Sequence, residues 1–148
     1  MKKIIGLFVA VFISASAMAQ IESHVKWSYA AKKVSKTEAV VFLKATIDPE
    51  WHIYSQNIKE GGPVKTSFVF NPSKEFSLAG KPTEPKGIVK YEKVFSMDVT
   101  YFERSVIFQQ KIKLKGSKAT VKGKLEYMTC NDTKCLPPTE VEFSIPVI

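Results

Sequence analysis

Cysteine, histidine and arginine are all scarce in this 148-residue chain, and each scarcity narrows its chemistry. There are two cysteines, Cys130 and Cys135, two histidines, His24 and His52, and a single arginine, Arg104. Structural zinc takes four protein ligands and catalytic zinc three with an open position, and two adjacent cysteines with two distant histidines do not supply that pattern. Met97 and Met128 are soft enough for copper but read as packing residues. No metal and no organic cofactor is therefore expected. Phosphate and base recognition favours the planar arginine fork. A formal charge of +8 carried almost wholly by lysine thus does not point to nucleic acid. Lysines such as Lys111, Lys113, Lys115, Lys122 and Lys124 fall at solvent-facing places of alternating segments, where they discourage edge-to-edge strand pairing.

A long hydrophobic run is also missing. The chain opens Met1-Lys2-Lys3, continues apolar from Ile4 to Ile13 and reaches Ala17-Met18-Ala19. An apolar stretch of about ten residues is half what a spanning helix needs. With its charged start and small-residue triplet it reads as a signal peptide over residues 1–19, cleaved after Ala19. No cysteine follows that site to take a lipid. The expected product is one exported domain, residues 20–148, without stable membrane insertion and large enough to fold without several staples.

Helical periodicity is the third absence. Apolar residues instead alternate: Val25, Trp27, Tyr29; Ala39, Val41, Leu43, Ala45, Ile47; Val106, Phe108, Gln110, Ile112, Leu114; Val121, Gly123, Leu125, Tyr127; Val141, Phe143, Ile145, Val147; with Phe68 and Phe70 as a shorter pair. This is the period of strands. Asp48-Pro49, Gly61-Gly62-Pro63, Asn71-Pro72-Ser73, Lys81-Pro82-Thr83-Glu84-Pro85 and Lys115-Gly116-Ser117 supply turn chemistry between them. About seven to nine short strands at this spacing predict an all-β, immunoglobulin-like β-sandwich, with an up-and-down barrel as the alternative.

The last two strand patterns flank the two cysteines. Asn131-Asp132 favours a turn, and a four-residue turn would set Cys130 and Cys135 on facing strands, about 4.5–5.5 Å apart at Cα, within bonding reach. Export favours the bond. Closing so short a loop gives roughly 2 kcal/mol in the chain-entropy model. Spacing and compartment alone leave a structural disulfide, a redox pair and a metal site all open.

The run Tyr127-Met-Thr-Cys130-Asn-Asp-Thr-Lys-Cys135-Leu-Pro137-Pro138 resembles the active-site hairpin of the N-terminal periplasmic domain of the thiol:disulfide interchange protein DsbD. The resemblance extends to Trp27, Trp51-His52-Ile53-Tyr54, Val94-Phe95, Tyr101 and Arg104. It implies an immunoglobulin-like domain that cycles one cysteine pair between dithiol and disulfide as a protein-disulfide reductase component. Its partners would be the thioredoxin-like domain of a membrane electron transporter, as electron source, and exported thiol-disulfide oxidoreductases as recipients, including disulfide isomerases and cytochrome c maturation factors. It implies Cys135 as the sulfur that bonds to partners and Cys130 as the resolving one. A cap loop over the pair would correspond to Glu92–Met97, with Phe95, or its neighbour Val94, as the covering side chain and Glu92 as its acidic member. Trp51, His52 and Tyr54 match the aromatic strand beside the family site. Two features depart from the family pattern: four residues rather than five lie between the cysteines, and Lys93 follows Glu92 where the family is acidic. The reading from another class is an immunoglobulin-like binding or assembly module with a purely structural disulfide.

Overall fold

The computed structural model describes residues 21–148; the expected signal peptide lies outside them. Eleven strands follow in order: β1 (Val25–Lys33), β2 (Glu38–Ile47), β3 (His52–Tyr54), β4 (Ser67–Phe70), β5 (Phe76–Thr83), β6 (Ile88–Glu92), β7 (Met97–Glu103), β8 (Ser105–Leu114), β9 (Ala119–Tyr127), β10 (Thr129–Cys130) and β11 (Thr139–Val147). The alternating segments are the long strands. Along β8, Val106, Phe108, Gln110, Ile112 and Leu114 are buried while every residue between them is exposed. Gln110 is the polar exception in that row. Its Nε2 donates to the carbonyl oxygens of Gly80 (3.1 Å) and Lys111 (2.7 Å), which satisfies its donor in the core.

All pairings are antiparallel. The first sheet runs β1-β2-β8-β5, the second β10-β3-β7-β6 and the third β11-β9-β4. Buried side chains of all three meet in one core, with Val41 and Leu43 from β2, Phe108 from β8, Ile53 and Phe102 from the second sheet and Leu125 and Ile145 from the third. Such burial of apolar area is the main favourable term in folding. The chain crosses from the second sheet to the first at Arg104, the lone residue between β7 and β8. It adopts a left-handed conformation (φ 63°), and its carbonyl accepts the Ile47 amide at 2.7 Å. The architecture is an immunoglobulin-like sandwich, and the distinct sheets, with β2 beside β8, rule out the up-and-down barrel.

Two expectations change. The described residues hold eleven strands rather than the seven to nine anticipated from alternation. The surplus lies mainly in the second sheet, whose members are short or one-sided. Lys81-Pro82-Thr83, read as a turn, is instead the end of β5. Proline is tolerated because β5 is an edge strand, and its register slips between Ala79 and Thr83, around Gly80 at φ 79°.

Candidate active site

β9 and β11 pair up to Tyr127↔Thr139. Beyond that pair the chain does not simply turn back. Thr129 and Cys130 leave the third sheet and join the second, as Thr129↔Ile53 and Cys130↔His52. The Thr129 hydroxyl donates to the His52 carbonyl at 2.9 Å and the Leu136 amide donates to the Thr129 carbonyl at 2.9 Å, so both arms are tied to the sheet. The tip is organised by Asn131, whose Oδ1 accepts from the Thr133 amide (2.9 Å), the Thr133 hydroxyl (3.0 Å) and the Lys134 amide (2.8 Å). This is the side-chain-closed turn that asparagine favours.

Cys130 and Cys135 are disulfide-bonded, with Cα atoms 4.0 Å apart. They form a single isolated bridge rather than a rung of two facing strands. The separation is shorter than expected because β10 pairs with β3 while the Asn131 turn draws the second cysteine in. The two sulfurs differ sharply in surroundings: Cys130 is 2 % exposed, whereas Cys135 lies in the exposed tip. Closing this short loop stabilises by about 2 kcal/mol in the chain-entropy model. Reduction is accordingly expected to lower the unfolding free energy by no more than about 3 kcal/mol, with the far-ultraviolet β spectrum retained, as urea unfolding of both forms would show.

Strand alternation decides what surrounds the buried sulfur. Cross-strand partners share a face, so Cys130, His52 and Glu103 form one row and Tyr54, Tyr101 and Ile88 the next. Ile53 and Phe102 point the other way, into the main core. Tyr54, Val99, Tyr101, Met128 and Cys130 form a second buried cluster, against which Ile58, Val64, Phe95 and Met97 pack. Phe95 therefore lies on the cluster containing Cys130, while Val94 is 85 % exposed and points away. The β6–β7 turn sets this difference. The Phe95 amide donates to the Glu92 carbonyl (3.2 Å), the Ser96 amide to the Lys93 carbonyl (3.2 Å), and Ser96 takes φ 53°. Glu92 is half-buried at the base of the turn.

Trp51 does not share the face of His52 and Tyr54. One residue earlier on the chain, it packs in the main core with Ile53. Its ring nonetheless reaches the other cysteine's side. His24 stacks on it (3.9 Å between centroids, 9° between planes), and Lys134, the neighbour of Cys135, places Nζ 5.8 Å above it. Lys134 Nζ also meets Glu22 at 2.9 Å, and His24 bridges Glu22 (2.9 Å) and Asp48 (3.1 Å). Sequence reasoning treated His24 only as a distant histidine. An acid two residues ahead of it was the one local signal.

The two histidines titrate in opposite senses. Hydrogen bonding to Glu22, reinforced by Asp48, raises His24 above its ordinary 6.5 against a desolvation penalty. Burial lowers His52, with Lys90 adding to the shift and Glu92, Glu103 and Asp132 opposing it. Burial also pushes Tyr54 up to about 12, helped by Glu92 and Tyr101. By linkage, the His24 contribution to stability is fully present below its unfolded value of about 6.5 and is lost as pH rises through the raised folded value. The His52 shift acts the other way, with stability lost as pH falls from about 6.5 through the lowered value. An NMR titration is expected to place the His24 midpoint above 6.5 and that of His52 below it. Reversal of that order would refute the assignment.

Among the described residues, no three His, Cys, Asp or Glu side chains converge as a metal centre requires. What remains is a single disulfide at the hairpin tip of an immunoglobulin-like sandwich, one cysteine exposed and the other buried. That combination defines the class, an all-β immunoglobulin-like domain with one disulfide at a hairpin tip. The chain matches the family "Thiol:disulfide interchange protein DsbD, N-terminal" over residues 21–146 and belongs to it. In fold it is similar to the N-terminal domain of DsbD from Neisseria meningitidis in the reduced form (TM-score 0.53, 20 % identity, 79 % of this chain and 82 % of that one). It is similar also to the N-terminal periplasmic domain of ScsB from Proteus mirabilis (TM-score 0.60, 18 % identity), covering 85 % of this chain but 47 % of that one. A third likeness is to a complex between the DsbD N-terminal and PilB N-terminal domains of Neisseria meningitidis (TM-score 0.50, 18 % identity, 78 % and 80 % covered). No curated protein sequence matches the chain.

Proposed function

We propose that this chain is a periplasmic thiol–disulfide exchange module, accepting electrons from the thioredoxin-like domain of a membrane electron transporter and reducing disulfides of other exported oxidoreductases through Cys130 and Cys135. The observation that carries the reading is the asymmetry of the pair, Cys135 in the exposed tip and Cys130 buried in the cluster against which Phe95 packs. Exchange needs access to one sulfur along the S–S axis and a second sulfur able to leave. A partner thiolate attacks Cys135 Sγ, the Cys130–Cys135 bond breaks, and Cys130 leaves as a thiolate that takes up a proton. The partner's second thiolate then attacks its own sulfur in the mixed disulfide and releases Cys135. Two electrons and two protons pass to this chain, and the partner becomes a disulfide. Delivery to a recipient disulfide is the same sequence reversed, with Cys135 attacking and Cys130 resolving. Family membership supports the chemistry, and the Neisseria complex shows a DsbD N-terminal domain paired with a PilB N-terminal domain.

Phe95 then serves as the cap that keeps small oxidants from the reduced pair. Phe95→Ala is expected to speed alkylation of the dithiol by iodoacetamide about tenfold, because a buried thiol reacts according to its access. The stability cost is expected to stay under about 2 kcal/mol, below the roughly 3–5 kcal/mol of a fully buried phenylalanine. Unchanged alkylation with a core-sized loss of stability would leave Phe95 a packing residue and favour a structural disulfide.

A further inference from the structure

We propose that His52 is the proton donor and acceptor for Cys130 during exchange, a positioning and acid–base role; the inference rests on the exchange reading above. The need for such a group follows from burial. Cys130 is 2 % exposed, so the thiolate released there when the disulfide opens is poorly solvated, and the thiol that must later resolve a mixed disulfide holds its proton tightly. His52 is its cross-strand partner on the same face of the sheet, itself 8 % exposed.

The ring is held in place and has a route to solvent. It stands edge-on to Tyr54 (5.2 Å, 89°) and tilted against Tyr101 (4.8 Å, 51°), and its Nε2 lies 3.1 Å from the Tyr54 hydroxyl. That hydroxyl keeps its proton at physiological pH. With that hydroxyl oxygen accepting from Nε2–H, the neutral imidazole keeps its Nδ1 lone pair free to take a proton, and the imidazolium carries on Nδ1 the N–H that serves the departing thiolate. One side of His52 lines a cavity of about 500 Å³ bounded by Tyr101, Glu103 and the hairpin residues Asn131, Asp132 and Thr133. The charged groups facing it are Glu103 on β7, Lys90 and Glu92 on β6 and Asp132 on the hairpin, with Glu50 on the cavity wall and the tyrosines Tyr54 and Tyr101 as the other titratable neighbours. None of these sits in the register position opposite Cys130. On reduction the His52 imidazolium gives its Nδ1 proton to the Cys130 thiolate, becomes neutral and is reprotonated from solvent through the cavity; on resolution the neutral ring takes the proton of the Cys130 thiol at Nδ1 as the sulfur forms its bond, and passes it back to solvent.

The test measures reduction of the disulfide in the full chain by dithiothreitol between pH 5 and 8.5, each rate divided by the reagent's thiolate fraction. For the unaltered protein the normalised rate is expected to rise as pH falls through the His52 titration, since the imidazolium is the stronger acid. His52→Gln is expected to show a flat profile and, at the low-pH end, to be slower by about a hundredfold, the lower end of the range for acid–base assistance. His24→Gln is expected to keep the step, which separates the two histidines. A merely structural role would lower stability without removing the step. Identical flat profiles for the unaltered protein and His52→Gln would overturn the proposal. Because dithiothreitol needs no docking surface, a step that persists when thioredoxin-like dithiols fail to reduce the pair would uphold His52 and defeat the exchange reading instead.

Discussion

Cys130→Ser is expected to accumulate a covalent complex with a thioredoxin-like dithiol protein, while Cys135→Ser traps little or none. The two cysteines occupy unlike positions: Cys135 in the exposed tip, Cys130 in the cluster with Tyr54, Val99, Tyr101 and Met128. With Cys130 replaced, a mixed disulfide on Cys135 can be broken only by the partner's own second cysteine or by an external thiol. A partner lacking that second cysteine leaves no internal route, and the complex is expected to dominate a non-reducing gel. Lys134 adjoins Cys135, but its ammonium is shared with Glu22 and exposed to salt, so access rather than charge decides the outcome. Equal trapping by both variants would mean that the buried sulfur is as reachable as the exposed one.

The largest expected effect on stability lies far from the sulfurs. Gly123 sits in β9 where the β4 backbone passes closest. A methyl group at that position would overlap the Val69 carbonyl oxygen and lie 2.9 Å from Phe143 Cζ and 3.1 Å from Phe70 Cα. Two of these three obstacles are backbone, held by the β4–β9 register Val69↔Lys124 and Phe70↔Gly123. Relief requires moving a strand, whereas a flexible side chain would simply turn. Gly123→Ala is thus expected to cost about 3 kcal/mol, the upper part of the range for overpacking, although alanine is the better strand residue in isolation. Urea midpoints measure it. A loss under about 0.5 kcal/mol, the usual size for a neutral surface change, would show that β4 is not held where the structure puts it.

The long strands were readable because each buries one face only. Along β8 and β9 the alternation survives for nine or ten residues, and even Gly123 holds its inward place in the pattern. The second sheet gave no such signal for physical reasons. All three residues of β3 are buried, four of the five in β6 are exposed, and β10 has only two residues. This is the sheet that carries the site. The cysteine pair itself was legible from its spacing, the turn residues and the family resemblance. Which sulfur is buried was not legible from spacing, because it depends on β10 joining β3, a contact between residues 77 apart in sequence. The proposed cap posed the same difficulty at the smallest scale. Val94 and Phe95 are neighbours, and only the turn at Ser96 determines which of them lies on the cluster. Trp51 and His52 divide likewise, one into the core and one onto the face of Cys130, as adjacent residues at a strand must.

We propose that the Cys130–Cys135 bond is a working redox couple rather than a staple. Its most direct measurement is to equilibrate the disulfide form with a series of ratios of reduced to oxidised thioredoxin-like protein, quench with acid, alkylate and weigh the products. A two-electron titration is expected in which both cysteines become alkylated together, reached rapidly and without unfolding. A bond that stays closed at every ratio, and yields only to denaturing reduction with loss of the fold, would contradict it.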